Sequence, residues 1–166
     1  MEQVRAATDH EVDRLVELTE AFLSVSGGQR GSALARPTDD GGHPPAPLRA
    51  AVTEYVSTTG RTALVGLLDD WVAGTALCRV EGTDGDRRGV LDVCFVEPGA
   101  REVGLGQLLL ERSIEWFRAQ GCSGVDGTAF PGDREAKQFF ESAGFKARLL
   151  VMHLPLGDIP AGEGPG

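Results

Sequence analysis

The sequence has few cysteines, no long apolar run and no excess of basic residues. Its three cysteines, Cys78, Cys94 and Cys122, are odd in number and form no C-x-x-C pair. This pattern indicates a reducing compartment, without disulfides and without a zinc site. No apolar run approaches the roughly 20 residues of a membrane span, and the N-terminus lacks the apolar core of a signal peptide. These absences predict a cytoplasmic protein that binds no metal and no membrane.

Acidic residues outnumber basic ones by 25 to 16, for a formal net charge of -9. A nucleic-acid-binding protein would need a basic face, so this balance argues against a nucleic-acid partner. Attraction of cationic small molecules is one use for the excess charge, and solubility alone is another. The length of 166 residues suits one domain with a sizeable core.

Hydrophobic spacing and turn residues predict strands and helices in alternation. A capping box from Thr8 to Glu11 begins the first helix. The predicted strands are 2–7, 61–68, 71–81, 88–96, 122–129 and 145–154, and the predicted helices are 8–26, 47–57, 104–119 and 133–143.

Two stretches do not fit this alternation. Residues 27–47 are rich in glycine, proline and polar side chains, which bury too little apolar surface to offset the entropy of the chain. They predict a flexible loop, either a lid or a disordered segment. Residues 155–166 are similar in composition and predict a disordered C-terminal tail, which leaves residues 1–154 as a single domain.

The most informative stretch is residues 96–107, where a strand gives way to a helix. Pro98 ends the strand because it has no amide hydrogen, and Gly104 and Gly106 clear side chains from the first helical turn. The free amides of that turn and the helix dipole favour a phosphate or pyrophosphate. A dinucleotide-binding G-x-G-x-x-G is absent, because its third glycine would stand at Leu109.

This stretch resembles the acyl-CoA-binding signature of the GNAT superfamily of N-acetyltransferases. The family pattern is Arg or Gln, two residues, Gly, one residue, then Gly or Ala. It is met by Arg101-Glu102-Val103-Gly104-Leu105-Gly106, preceded by the common Val-x-Pro as Val96-Glu97-Pro98. A second match lies downstream, at Asp133, Ala136, Phe139-Phe140 and Gly144-Phe145. The resemblance implies an α/β fold (an α+β mixed sheet) in which a central splayed β-sheet is flanked by helices.

The resemblance also implies an activity, the direct transfer of an acetyl group from acetyl-CoA to a primary amine of a small molecule or peptide. In this family the pantetheine arm lies between two splayed strands, which here end at Val96 and begin at Cys122. The family usually has a seventh strand, and too little chain follows Leu154 to form one. A second subunit, in a homodimer, could complete that edge of the sheet.

The family holds its cofactor largely by main-chain groups. By resemblance, Cys94 and Val96 would bond the pantetheine arm, and the amides from Arg101 to Gln107 would bind the pyrophosphate. The implied cofactor-binding residues are Cys94, Phe95, Val96, Arg101, Glu102, Val103, Gly104, Leu105, Gly106, Gln107, Asp133 and Phe140.

The general base must come from the acids of the central strands or through a water relay. Side chains at 90, 92, 94 and 96 share one face of a regular strand, and several family members carry a glutamate near the position of Val90. Asp92 lies in an otherwise apolar run, where desolvation would raise its pKa toward that of a useful base; a structural hydrogen bond is the equal alternative. Glu81 and Asp126 are weaker candidates.

The general acid of the family is missing from the second match. Asp133 stands where the family has asparagine, and Phe140 stands where it has the tyrosine that protonates the leaving thiolate; Tyr55 is the only tyrosine of the chain. This departure leaves an alternative open, a GNAT-fold protein that binds acyl-CoA without turnover, as a sensor or an interaction module.

Overall fold

The computed structural model describes residues 1–26, 47–152, 154, 156 and 157. The predicted loop, apart from Pro47, and most of the predicted tail lie outside these residues. The described strands are β1 Glu2–Ala6, β2 Arg61–Leu68, β3 Trp71–Thr83, β4 Asp86–Val96 and β5 Gly124–Gly127. The described helices are α1 Val12–Ser26, α2 Leu48–Ser57, α3 Leu105–Ala119 and α4 Arg134–Ser142, with 3-10 helices at Asp9–Glu11 and Pro98–Val103.

The five strands form one mixed sheet in chain order, β1-β2-β3-β4-β5. The first three pairings are antiparallel, and β4 pairs with β5 in parallel. Neighbouring residues of one strand, such as Leu64 and Val65, belong to different core clusters because successive side chains point to opposite faces. The predicted fold class, a mixed sheet flanked by helices, is confirmed.

Each face of the sheet carries its own helical layer. On one face α1 and α2 bury Leu15, Leu18 and Val52 against the sheet. On the other face α3 buries Leu105, Leu109, Leu110 and Phe117, and the phenylalanines of α4 pack against the same cluster. The two layers matter for function because they give the sheet two chemically separate sides.

Three predicted boundaries need correction. The strands β3 and β4 extend further toward the turn between them than expected, so this turn shortens to Asp84 and Gly85. The strand predicted at 122–129 is only the four residues of β5. The expected loop around Arg101 is a 3-10 helix, and Gly104 is the N-cap of α3 rather than its first residue.

The predicted last strand, 145–154, is wrong over the part of that range the structure describes. Residues 145–152 and 154 form no strand, and the apolar run from Leu149 to Met152 is 72–82% exposed. An unbroken apolar run has no alternation to fix which side chains face a sheet, and β5 offers only four residues for pairing. Apolar composition alone therefore gave a strand that the tertiary structure does not form.

The predicted capping box is present ahead of α1. The Glu11 carboxylate accepts hydrogen bonds from the Thr8 amide at 2.9 Å and the Thr8 hydroxyl at 3.1 Å. Arg5 donates to both oxygens of the same carboxylate, at 2.7 and 2.9 Å. The Arg5 guanidinium, helped by Thr8, lowers the pKa of Glu11 to about 2.

Glu11→Gln should therefore destabilise the protein at neutral pH and not in strong acid. A depressed pKa in the folded state means that the carboxylate stabilises the fold above its ordinary pKa of 4.5 and that this gain is lost as pH falls toward 2. We expect a loss of about 1–2 kcal/mol near pH 7, after allowing for the partial exposure of Arg5. Urea unfolding of both proteins across this range, with Glu20→Gln as control, measures the difference. A gap between wild type and variant that stays constant down to pH 2 would contradict the assignment.

Candidate functional site

The pairing of β4 with β5 stops halfway along β4. Its parallel register runs from Arg88 opposite Gly124 to Leu91 opposite Gly127, whereas β4 continues to Val96. Among the described residues no strand pairs with this edge of β4 beyond Leu91. The main-chain N–H and C=O groups that point to this side are therefore available to an extended ligand, apart from the Val96 carbonyl, which accepts from Arg101.

A phenylalanine of α4 occupies the point where the two strands part. A Cβ atom on Gly127 would lie 2.4 Å from the ring of Phe140, so only glycine fits beneath this ring. The Phe140 ring also packs against Phe145, with centroids 5.1 Å apart. Phe139, rather than Phe140, lies nearer the head of α3, 3.5 Å from the place of a Cβ on Gly106. Phe140 therefore seats α4 on the sheet, and Phe139 lies on the side of the α3 head.

At the head of α3, beside the free edge of β4, three amides have no main-chain partner among the described residues. The first i→i−4 hydrogen bond of the helix joins the Leu108 amide to the Gly104 carbonyl at 3.1 Å. The amides of Leu105, Gly106 and Gln107 precede it and have no helical carbonyl to bond. With the positive end of the helix dipole they form a site suited to a phosphate or pyrophosphate.

The two glycines of this turn serve different needs. Gly104 has a φ of 82°, in the left-handed region that favours glycine. Gly106 is helical, and a Cβ there would lie 3.5 Å from Phe139 and 3.7 Å from Val96, which are ordinary contact distances. Packing within the protein would therefore accept a small side chain at position 106. Packing therefore does not explain the glycine at position 106, whereas close approach of a ligand would.

Charged side chains fix the loop between β4 and α3. Arg14 donates to Glu97 at 2.6 Å, and the Trp71 indole donates to the same carboxylate at 3.2 Å. Arg101 folds back so that its Nε donates to the Val96 carbonyl at 3.0 Å, with the guanidinium 5.7 Å from the centre of the Phe95 ring. Arg101 thus braces the end of β4 instead of extending toward the helix head.

The other residues predicted to bind the cofactor lie in several environments. Cys94 packs toward α3, and burial raises the pKa of its thiol to about 12. Phe95 is buried on the opposite face, edge-on to Phe22. Glu102 and Val103 are exposed in the 3-10 helix. Asp133 is the N-cap of α4, where its Oδ1 accepts from the Ala136 amide at 3.0 Å.

A β-bulge at Asp92 overturns the expected alternation along β4. Cys78 lies opposite Leu91 and the next residue, Leu77, lies opposite Val93, so Asp92 has no partner of its own on β3. Beyond the bulge Cys94 packs on the α3 side, while Asp92 contacts α2. The prediction that side chains 90, 92, 94 and 96 share one face is therefore wrong.

Asp92 is surrounded by polar groups instead of the expected apolar ones. Its Oδ2 accepts from the Tyr55 hydroxyl at 2.5 Å and from Arg79 Nε at 2.7 Å. Its side chain keeps 27% of its exposure. This carboxylate thus lies between a guanidinium and a phenol, both of which donate to the same oxygen.

The two weaker candidates for a base are engaged in ion pairs. Both oxygens of Asp126 accept from Arg148, at 2.7 and 2.5 Å, and the Arg148 hydrogen bonds lower the pKa of Asp126. Glu81 pairs with Arg79 near the exposed end of β3. Asp92 is the one of the three acids that stands at the head of the free β4 edge.

Sequence reasoning missed Tyr55 and Arg79. An arginine in an apolar strand run, one strand away from an isolated acid, was the available signal for Arg79. Nothing local marks Tyr55, which precedes Asp92 by 37 residues.

Within the described part of the chain no cluster of His, Cys, Asp or Glu is arranged to hold a metal ion. No described helix is both long and apolar enough to span a bilayer.

Solved structures of acetyltransferases share this architecture. The aminoglycoside N-acetyltransferase AAC(6')-Iy, in complex with the bisubstrate analogue CoA-S-monomethyl-acetylneamine, is 16% identical with a TM-score of 0.71, covering 93% of this chain and 97% of its own. A ribosomal-protein-alanine N-acetyltransferase from Brucella melitensis biovar Abortus 2308 is 14% identical with a TM-score of 0.65, covering 95% of this chain and 100% of its own.

A transcriptional regulator from Bacillus halodurans C-125 has the same fold, at 19% identity and a TM-score of 0.67, covering 93% of this chain and 100% of its own. At these identities the likeness concerns the fold alone. No curated protein matches the sequence. The family assignment comes from a different comparison, which spans both the glycine turn at the head of α3 and the free edge of β4. Because the model of the acetyltransferase (GNAT) family matches residues 30–145, more than half of the chain, the protein belongs to that family.

Proposed function

We propose that the protein transfers an acetyl group from acetyl-CoA directly to the primary amine of a small molecule or peptide. The observation that carries the proposal is the free edge of β4, which begins at Asp92 and ends beside the unpaired amides at the head of α3. Family membership supports acetyl transfer, and the bound bisubstrate analogue of AAC(6')-Iy supports CoA as the carrier.

Acetyl-CoA would lie along this free edge. The amides of Leu105, Gly106 and Gln107 would bind its pyrophosphate, and the main chain of residues 92–96 would bond its pantetheine arm. Four strand steps separate Asp92 from Val96, about 13 Å at the usual rise per residue. The arm would therefore lie extended along β4 in order to bring its thioester to Asp92.

The reaction would proceed by attack of the amine nitrogen on the thioester carbonyl. The carbon–nitrogen bond forms, the carbon–sulfur bond breaks, and the sulfur leaves as a thiolate with the electron pair. Asp92 would accept the proton that the amine gives up and pass it to solvent. Phe140 has no hydroxyl to protonate the thiolate, which would take its proton from water.

The acceptor is proposed only as a class. The named substrates of the similar structures are an aminoglycoside analogue and a ribosomal-protein alanine, so both a small amine and a peptide terminus are consistent with this fold. We also propose a cytoplasmic location, from the free cysteines, and a homodimer that completes the β5 edge. A panel of amines with free-thiol release from acetyl-CoA as readout tests the acceptor.

One observation favours a second function, acyl-CoA binding without turnover. The residue at the parting of β4 and β5 is Phe140 rather than a tyrosine, and one protein of the same fold is described as a transcriptional regulator. Binding of acetyl-CoA without thiol release in the presence of any amine of the panel would support this sensor role over the enzyme.

Gly106→Asp should abolish acetyl-CoA binding and leave the fold intact. An acid in the first turn of a helix suits the helix dipole, whereas its charge would repel the pyrophosphate. With acetyl-CoA at roughly a hundredfold excess over Kd, the wild type should gain about 2.7 kcal/mol of stability, and Gly106→Asp should gain almost none. Gly106→Ala is the uncharged control and should keep most of the gain. Equal thermal shifts in all three proteins would place the cofactor elsewhere.

Asp92→Asn should slow transfer without weakening acetyl-CoA binding. The change keeps the shape of the side chain and removes its basicity, and a well-placed general base is worth on the order of 10²- to 10⁴-fold in rate. Steady-state kinetics with one accepted amine measures the loss in kcat/KM. Asp126→Asn is the matched control and should have a small effect, because Arg148 occupies both oxygens of Asp126. Losses of similar size in both variants would reject Asp92 as the specific proton acceptor.

A further inference from the structure

The Asp92 carboxylate is held by one oxygen only. Both of its hydrogen bonds, from Tyr55 on α2 and from Arg79 on β3, end on Oδ2. Oδ1 has no hydrogen-bond partner among the described residues. Since no side-chain oxygen or nitrogen in that part of the chain is both buried and without a partner, Oδ1 is open to solvent.

The two donors are themselves held in place. The guanidinium of Arg61 lies over the Tyr55 ring, 5.2 Å from its centre, and Arg61 pairs with Glu54 at 3.3 Å. Arg79 also pairs with Glu81. The charged and titratable groups around Asp92 are thus those of α2, β2 and β3: Glu54, Tyr55, Arg61, Arg79, Glu81 and the buried Cys78.

Tyr55 acts as a donor throughout the physiological range. Burial, together with the charge of Asp92, raises the pKa of the Tyr55 phenol well above its ordinary value. The phenol therefore keeps its proton and directs it at Oδ2. With Arg79 Nε on the same oxygen, the rotation of the carboxylate is fixed.

We infer that Tyr55 and Arg79 are positioning residues, which hold Asp92 by Oδ2 so that Oδ1 accepts the proton of the acceptor amine. The inference rests on the proposed acetyl transfer. The bulge explains why the Asp92 side chain lies on the α2 side. Asp92 directly follows Leu91, the last residue of β4 that pairs with β5. In this arrangement the acid stands at the head of the gap, on the face opposite α3.

The kinetic test compares Tyr55→Phe with Ser57→Ala. The first removes the hydroxyl on Oδ2 and keeps the ring beneath Arg61; the second removes another hydroxyl of α2, which bonds the Thr53 carbonyl and does not contact Asp92. Losing a hydrogen bond to the carboxylate should move the acidic limb of kcat/KM to higher pH. Acetyl-CoA affinity should stay unchanged. Arg79→Gln should move the limb in the same direction, whereas Ser57→Ala should not move it.

A spectroscopic test does not depend on turnover. Tyr55 is the only tyrosine, so phenolate absorbance reports this side chain alone. Asp92→Asn removes the neighbouring negative charge, so Tyr55 should ionise at lower pH than in the wild type, with folding followed by circular dichroism. An unchanged phenol titration would overturn the contact.

Each failure has a distinct signature. A wild type that turns over, with Tyr55→Phe matching the pH profile of Ser57→Ala, would overturn this inference and leave acetyl transfer standing. A wild type that releases no thiol with any amine would contradict the proposed function, and this inference with it.

Discussion

The end of pairing between β4 and β5 is the constraint on which the rest of the site depends. Parallel pairing requires both strands to continue side by side, and β5 stops at Gly127, opposite Leu91. The Phe140 ring lies where a side chain on Gly127 would be, so α4 packs at this point. The remaining half of β4 has no strand beside it on one side, where the Val96 carbonyl bonds Arg101 and the other main-chain groups stay free. A fully paired β4 would have a stable core and no place for an extended cofactor.

The bulge at Asp92 determines which side chains beside the unpaired part of β4 face α3 and which face α1 and α2. Before it, Leu91 packs toward α3; after it, Cys94 and Val96 do, while Asp92 and Val93 both belong to the side of α1 and α2. One extra residue thus turns a carboxylate away from the face on which α3 begins with its free amides. Under the proposed function, anion binding and proton transfer would then be separated across the sheet, which would limit repulsion between the pyrophosphate and the acid.

The loop between β4 and α3 is held in place by residues of other elements. Glu97 is fixed by Arg14 of α1 and Trp71 of β3, and its amide bonds the Ala73 carbonyl at 2.9 Å. Arg101 bonds the Val96 carbonyl from the other direction. These contacts connect the loop before α3 to two elements distant in sequence, α1 and β3, so the amides are held in place before any ligand arrives. Such preorganisation lowers the entropic cost of binding.

The sequence by itself determined the features that depend on neighbouring residues. These include the capping box at Thr8, the Asp133 cap, the glycine turn at 104–106 and the order of the elements up to α4, because caps, turns and hydrophobic periods act over a few positions. Only the tertiary structure decided the bulge, which requires knowledge of the β3 register, and the partners of Asp92, which come from α2 and β3. The predicted last strand failed for the same reason: its apolar residues show strand propensity, but pairing depends on an edge that β5 provides for only four residues. Local sequence patterns located the glycine turn at the head of α3, and long-range packing determined which acid lies beside the unpaired part of β4.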